Sequence, residues 1–158
     1  MWVASFRVQG MDECMLSMKQ VAEIPDDVAN DMLQAGGEII AEAQRRKITA
    51  TLLQPSSGIL AKSVTVTPKM KRRKGEERYV TVYPKGTHHT YMHKATPTST
   101  PVQKIATNNE VFFINEYGAP LKEIAGKGIA RAANEESAEA VDAAMFKVYD
   151  KFLESKGL

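Results

Sequence analysis

Residues 54–67 read QPSSGILAKSVTVT, and the character of the chain changes within them. Proline, serine and glycine at the start of this stretch favour a turn, and Ile59 and Leu60 supply apolar side chains that anchor such a turn to a core. The four residues from Val64 onward are all β-branched, which favours a strand. The stretch therefore predicts a turn through which a helical part of the chain passes into a sheet.

The segment before this turn has the pattern of a long helix, from about residue 26 to about residue 48. Its first turn carries Asp26 and Asp27, which are favourable near the positive end of the helix dipole. Apolar residues recur at three- and four-residue steps: Val28, Met32, Leu33, Ile39, Ile40 and Ala43. Gly36 and Gly37 each cost about 1 kcal/mol relative to alanine. Such a pair marks a kink or a close helix contact, and the sequence does not decide between them.

The N-terminal residues predict a short strand at 2–8 and a short helix at 12–23. Cys14 is the single cysteine, which excludes an intramolecular disulfide and a cysteine-based zinc site and fits a reducing cytoplasm. Charged residues interrupt the apolar run that a signal peptide needs, and no stretch approaches the roughly 20 apolar residues that span a bilayer. We therefore expect a soluble protein without membrane contact.

Beyond the turn, the sequence predicts an antiparallel hairpin of residues 64–67 and 78–83, joined by a charged loop that contains glycine. A third strand is expected at 111–114, where Val, Phe, Phe and Ile follow one another. The last segment has small and apolar residues on one helical face: Ala133, Ser137, Ala140, Val141, Ala144, Val148 and Phe152. The chain therefore predicts one α+β domain, residues 1–158, with an antiparallel sheet of three to four strands packed against two long helices.

Residues 85–109 differ from the rest of the chain. Pro97 and Pro101 stand among threonine, serine, histidine and lysine, with little apolar periodicity. A structureless segment this long inside a compact domain is normally functional, or disordered when free. We expect a long projecting loop that becomes ordered against a partner.

This loop contains three histidines, His88, His89 and His93, within a stretch of six residues. Histidine is a common metal ligand, but no carboxylate or thiol in the loop would complete a site, so exposed polar residues are expected. The sequence also lacks a Gly-x-Ser-x-Gly elbow, a phosphate-binding glycine loop and a His-Glu-x-x-His helix. We expect no catalytic residue, no cofactor and no metal, and a histidine–metal hydrolase ranks last among the possible functions.

Lys71, Arg72, Arg73 and Lys74 form an uninterrupted basic run at the tip of the predicted hairpin. Such a run reaches nucleic-acid phosphates in a salt-dependent way, or it is a solvated tip balanced by the two glutamates that follow it. The net charge of +2 is too small for a general nucleic-acid binder. A small nucleic-acid-binding module that uses this tip is the main alternative function.

Two short motifs carry a family resemblance through their order and spacing. The first is a Pro-x-x-Gly-x-Leu-x-x-Ser turn after a long helix, formed by Pro55, Gly58, Leu60 and Ser63. The second is a glutamate before an aromatic-glycine step, formed by Glu116, Tyr117 and Gly118. With a long helix after them, the motifs resemble the gene-product-ten-like family of neck and tail-completion proteins, which join heads to tails in lambdoid bacteriophages with long tails.

The resemblance implies a non-enzymatic structural protein of the virion, present in the host cytoplasm during assembly. It would form a ring, expected to be a hexamer, between the head-side connector or head-closure proteins and the tail terminator or tail tube. DNA would cross the ring without sequence-specific contact, past Lys71, Arg72, Arg73 and Lys74. The long loop would contact neighbouring subunits through His88, His89, Tyr91 and His93, and the motif residues would be structural.

Overall fold

The computed structural model describes residues 24–52, 56–72 and 77–155. The strand predicted at 2–8 and the helix predicted at 12–23 lie outside these residues, as do Pro55, Arg73 and Lys74. The chain groups into two compact units. The described residues of the first unit are 24–43, 66–72, 77–82 and 131–155, and those of the second are 44–52, 56–65 and 83–130. A single domain over residues 1–158 stays a prediction.

Helices and short strands share the described part of the chain, which confirms the α+β class. The helices are α1 (Asp26–Thr51), α2 (Ser56–Ser63), α3 (Asn108–Tyr117) and α4 (Ile129–Ser155), with a 3-10 turn at Pro120–Lys122. The strands are β1 (Val64–Val66), β2 (Lys71–Arg72), β3 (Arg78–Tyr79), β4 (Val82–Pro84), β5 (Thr87–His93), β6 (Val102–Thr107), β7 (Gly118–Ala119) and β8 (Ile124–Ala125). The two long predicted helices correspond to α1 and α4.

The arrangement of the strands corrects one part of the prediction. Instead of one sheet of three to four strands, the described strands form two-stranded pairs: β1 with β4, β2 with β3, β5 with β6, and β7 with β8. Six of these strands have only two or three residues, which is shorter than the roughly five to six residues typical of strands in larger sheets. The predicted hairpin of residues 64–83 therefore contains two short ladders, the outer one of β1 with β4 and the inner one of β2 with β3.

The third strand predicted at 111–114 is wrong, because these residues lie inside helix α3. A short apolar run fits a buried strand and a helix equally well. The start of the helix decides the matter through a capping box. The Thr107 hydroxyl accepts a hydrogen bond from the Glu110 backbone N–H at 3.2 Å, and the Glu110 carboxylate accepts one from the Thr107 N–H at 2.8 Å.

The turn predicted after residue 54 is a short helix, α2, that leads directly into β1. Leu60 is fully buried in it, whereas Ile59 is about half exposed. The Ser63 hydroxyl donates a hydrogen bond to the Leu60 carbonyl at 2.7 Å in the last turn. In the same unit, the Arg45 guanidinium donates to the Val64 carbonyl at 2.9 Å, which ties the last part of α1 to the beginning of the strand.

Close packing explains the glycine pair of α1, which is an uninterrupted helix. A Cβ atom on Gly36 would lie 3.1 Å from a methyl carbon of Val141 on α4, and one on Gly37 would lie 2.8 Å from a methyl carbon of Val66 on β1. The two glycines thus let a helix approach on one side of α1 and a strand on the other. Of the two alternatives that the sequence left open, the structure shows the close contact.

Polar side chains of α1 hold the segment after β1 within the first unit. The Gln34 amide donates to the Thr67 carbonyl at 2.7 Å, and the Asn30 carbonyl oxygen accepts from the Met70 N–H at 2.9 Å. Among the described residues, no helix has both the length and the apolar composition of a membrane-spanning helix.

Candidate functional site

Residues 85–109, predicted to be a structureless loop, contain the longest strand pair among the described residues. Strands β5 and β6 are antiparallel, and their register places Tyr91 opposite Lys104 and His93 opposite Val102. The threonines and the aromatic and β-branched residues of this segment favour strands, although histidines and lysines conceal the alternation. The loop proper is confined to residues 94–101, where the Ser99 backbone N–H donates to the Thr96 carbonyl at 3.1 Å.

One face of this hairpin carries a row of rings. His89, Tyr91 and His93 alternate along β5, and the ring centroids are 5.8 Å apart for the first pair and 6.5 Å for the second. Lys104 and Val102 lie on the same face because each is the direct partner of one of these residues. All five residues are exposed, and Val102 keeps 60% of its surface accessible. This set, His89, Tyr91, His93, Val102 and Lys104, is called the ring face below.

His88, grouped with these residues by the sequence, has a different place. It lies at an irregularity in the register between Thr87 and His89, and its Nδ1 is 3.1 Å from the side-chain oxygen of Asn108. Three of the four residues expected at a subunit contact therefore lie on the ring face, and the fourth lies at the base of the hairpin.

Asn108, which the sequence did not single out, holds the hairpin base to the first turn of α3. It is buried, its backbone N–H donates to the Gly86 carbonyl at 2.9 Å, and its side-chain amide donates to the Lys85 carbonyl at 2.8 Å. Asn108, the first residue of α3, thus donates to two adjacent backbone carbonyls just before β5. The hairpin and α3 therefore share one anchor.

Glu110 keeps a negative charge at the start of α3. Hydrogen bonds from the backbone N–H and the hydroxyl of Thr107 hold the pKa of the Glu110 carboxyl below its usual value of 4.5. The threonine-x-x-glutamate pattern of a capping box was present in the sequence at 107–110 and could have revealed this helix start.

Helix α3 presents aromatic rings to the solvent. Phe113 and Tyr117 lie one turn apart, their ring centroids are 4.8 Å apart, and they are 59% and 64% exposed. Leu121, in the turn that follows, is fully exposed. Because burying apolar surface is favourable, exposed aromatic side chains grouped together mark a contact surface more often than isolated ones do. Phe113 and Tyr117 with Glu110 are called the α3 stripe.

The Glu116-Tyr117-Gly118 motif separates into different roles. Glu116 is buried, and its carboxylate accepts a hydrogen bond from the Ala130 N–H at 2.6 Å in the first turn of α4. Gly118 ends α3 at φ +85°, and a Cβ atom there would lie 2.5 Å from the Ile124 carbonyl oxygen. Glu116 and Gly118 thus fix the backbone, while Tyr117 remains at the surface.

The basic run is only partly described. Lys71 and Arg72 are exposed in β2, and Arg72 and Arg78 both form ion pairs with Asp26 in the first turn of α1, the latter at 2.9 Å. The hydrogen bond from Arg72, followed by the positive charges of both arginines, lowers the pKa of Asp26 below its usual value of 3.8. Arg72 is therefore one of the positive charges of the basic run, and its ion pair also holds β2 to the first turn of α1.

Gly58, Leu60 and Ser63 of the first motif belong to α2. Within residues 24–52, 56–72 and 77–155, no three His, Cys, Asp or Glu side chains group closely enough to hold a metal ion.

Comparison with known proteins agrees with the first motif. The family model described as "Bacteriophage HK97-gp10, putative tail-component" matches residues 12–93. The match contains helices α1 and α2 and ends with strand β5, so the Glu116-Tyr117-Gly118 motif lies beyond it. No curated protein and no solved structure matches the chain. Since the family model covers just over half of the chain, this protein belongs to the HK97 gp10-like family of bacteriophage tail components.

Proposed function

We propose that the protein is a structural, non-enzymatic subunit of the virion that forms a ring at the head–tail interface, around the channel that DNA crosses. The ring is sixfold, and it joins head-closure proteins to the tail terminator or the tail tube. It assembles in the host cytoplasm, without a membrane or a cofactor. Membership of a family of tail components supports the place in the virion.

The observation that carries the proposal is the exposed β5–β6 hairpin. Its strands pair only with each other among the described strands, so each has an outer edge of backbone groups available for another partner. A two-stranded hairpin is marginally stable by itself in water. Apolar side chains on both of its faces are exposed, with Met92 at 64% and Val102 at 60%. A surface of this kind gains stability from a contact with another protein.

The second supporting observation is that three described motif residues, Leu60, Glu116 and Gly118, have structural roles. Leu60 is a buried packing residue, Glu116 satisfies the start of a helix, and Gly118 adopts a conformation that other residues reach only at a cost. None of these roles requires a substrate. They fit a part whose function is to hold a shape between neighbours.

Removal of the hairpin strands tests the proposal. Because His89 and Ala106 are partners in the register, residues 90–105 can be replaced by an Asn-Gly turn while the base at Asn108 is kept. We expect a folded monomer that unfolds cooperatively but does not join heads to tails, so that separate heads and tails accumulate. Electron microscopy of the lysate and a count of infectious particles measure this outcome.

The control shortens only the loop, with residues 95–100 replaced by a two-residue turn and both strands kept. This variant should assemble as the wild type does. A normal yield of joined particles from the variant without strands would refute the proposed role of the hairpin. A variant without strands that fails to unfold cooperatively would show that the hairpin serves folding rather than assembly.

We also propose that the basic run Lys71, Arg72, Arg73 and Lys74 faces the lumen and screens the phosphates of passing DNA. Lys71 and Arg72, the two described members, are both exposed, which supports an outward position. The alternative, a free-standing nucleic-acid-binding module, uses the same four residues. Affinity for free DNA separates the two.

A further inference from the structure

The ring face and the α3 stripe are two unlike surfaces of the same unit, and neither covers the other within one chain. Val102 on the ring face remains 60% exposed, and Phe113 and Tyr117 on the α3 stripe remain 59% and 64% exposed. Both are held in place by the same anchor, since Asn108 fixes the hairpin base to the first turn of α3. Each surface therefore has a defined position, and among residues 24–52, 56–72 and 77–155 no apolar side chains cover it.

The charges of the two surfaces are complementary. Residues 85–109 contain no carboxylate, and Lys104 lies in the middle of the ring face beside Tyr91. The α3 stripe begins with Glu110, which is exposed and three residues before Phe113, so the two residues share a helical face. Thr107 holds the Glu110 carboxylate at the start of the helix. Opposite charges on the two apolar surfaces favour contact between unlike surfaces and disfavour contact of like with like.

The apolar parts match as well. Val102 and Tyr91 offer an aliphatic and an aromatic side chain on one face of a strand pair, and Phe113 and Tyr117 offer two rings one helical turn apart. Aromatic residues that become buried at the centre of an interface carry much of its binding energy. A strand pair laid on such rings would cover them on the side that is now open.

We infer that the ring face of one copy docks on the α3 stripe of the next copy, with Lys104 beside Glu110 and with Val102 and Tyr91 against Phe113 and Tyr117. This inference rests on the proposed function, because it names the surface that receives the hairpin. Contacts between unlike surfaces join subunits head to tail, and such a series closes into a ring when the rotation per subunit allows it.

The test uses two variants of the full chain. The first, Val102→Asp with Lys104→Glu, disables the ring face, and the second, Phe113→Ser with Tyr117→Ser, disables the α3 stripe. We expect wild-type protein to self-associate at high concentration, and each variant alone to do so at least about tenfold more weakly, as is usual when interface aromatics are removed. Sedimentation velocity and native mass spectrometry measure the association.

Mixing the two variants gives the decisive result. The second variant still has an intact ring face and the first an intact α3 stripe, so the mixture should form a heterodimer with one good interface and nothing larger. If the hairpins instead pair with each other, the second variant will associate normally by itself. If an unrelated tail protein covers the α3 stripe, the second variant will likewise keep the wild-type association. Either result would overturn the inference.

Two further variants control for general damage. Gln103→Glu adds a charge on the face of the hairpin opposite to the ring face, since Gln103 is exposed and is the register partner of Met92, and it should leave association unchanged. Glu110→Gln keeps an acceptor for the capping box but removes the charge, so combining it with Lys104→Glu should recover part of the association that Lys104→Glu alone loses. No recovery would count against the charge pairing.

Crosslinking extends the test to particles. In a Cys14→Ser background, Val102→Cys and Phe113→Cys in one chain should give a ladder of disulfide-linked oligomers, whereas either cysteine alone should not. Particles that contain the protein but give no ladder would overturn the docking and leave the proposed ring standing. Absence of the protein from purified particles would refute the proposed function itself, while the association of the variants in solution would still decide the docking.

Discussion

At the scale of single residues, Gly118 and Arg72 each have a partner that determines their role. Gly118 stood out as a glycine after an aromatic residue, and the structure gives the reason, which is a positive φ with a carbonyl directly beside the missing side chain. Arg72 stood out as one of four basic residues. Its ion pair with Asp26 joins positions 46 residues apart, and no local pattern contains that information.

Two glycines with positive φ form a matched pair for mutation. Gly118→Ala adds a Cβ atom 2.5 Å from the Ile124 carbonyl oxygen and forces an unfavourable backbone conformation, so we expect a loss of about 2 kcal/mol or more in the free energy of unfolding. Gly128→Ala meets the conformational cost alone, since nothing lies within 4 Å of the added atom, and should lose about 1 kcal/mol. Urea unfolding measures both. Equal losses would contradict the steric explanation.

At the scale of elements, long periodic segments were predictable and short ones were not. Helices α1 and α4 follow from apolar residues at helical spacing. Helix α3 was mistaken for a strand because four apolar residues in a row carry no period. The β5–β6 hairpin was mistaken for a loop because polar and apolar side chains are mixed on both of its faces, which hides the alternation. Each element has hydrogen bonds at one end that the apolar pattern does not reveal, at Thr107 for the helix and at Asn108 for the hairpin.

The start of α1 should respond to pH through Asp26. Its lowered pKa means that the folded state holds the charged carboxylate more firmly than the unfolded chain does, so the ion pairs stabilise the fold above about pH 3.8. This stability is lost as the pH falls below that value and through the folded pKa. Asp26→Asn should therefore lower the urea midpoint at neutral pH, and its difference from the wild type should shrink in acid.

Asp27→Asn is the control for that measurement, because it removes an exposed acidic residue from the same helix turn. Its effect at neutral pH should be smaller than that of Asp26→Asn. A difference between Asp26→Asn and wild type that stays constant down to about pH 2, well below the ordinary range of an aspartate, would show that the arginine pairs do not cause the pH response.

At the scale of the whole molecule, the short motifs indicated the family, and the family match covers the first of them. The two compact units were not predictable, because each draws on segments far apart in the sequence. The α3 stripe was missed for a different reason. Apolar residues at a helical or strand position are normally assigned to the core, and only the structure shows which of them remain at the surface.

Substitutions in the basic run distinguish the proposed ring component from its alternative, a free-standing nucleic-acid-binding module. Because Arg72 pairs with Asp26, the variant that changes charge with the least structural damage is Lys71→Gln with Arg73→Gln and Lys74→Gln. For a ring component, purified wild-type protein should bind DNA weakly at moderate salt, and particles carrying the variant should retain less DNA and be less infectious. Lys62→Gln with Lys147→Gln and Lys151→Gln is the control for an equal change in charge.

A free-standing binder would behave differently in the same measurements. Its DNA affinity would be clear and would fall steeply with salt, and the variant would reduce the slope of log K against log salt by about 0.9 for each phosphate that it no longer neutralises. Unchanged DNA retention and infectivity, together with weak binding of free DNA, would refute both roles of the basic run.

From the hydrogen bonds of Asn108 we expect a defined path for a force that acts on the hairpin. A pull on the hairpin passes first to the carbonyls of Lys85 and Gly86, which Asn108 holds, and then along α3. At the other end of α3, the Glu116 carboxylate transmits the load to the first turn of α4. Hydrogen bonds at the two ends of α3 thus connect the hairpin base to this helix, and the helix to the start of α4.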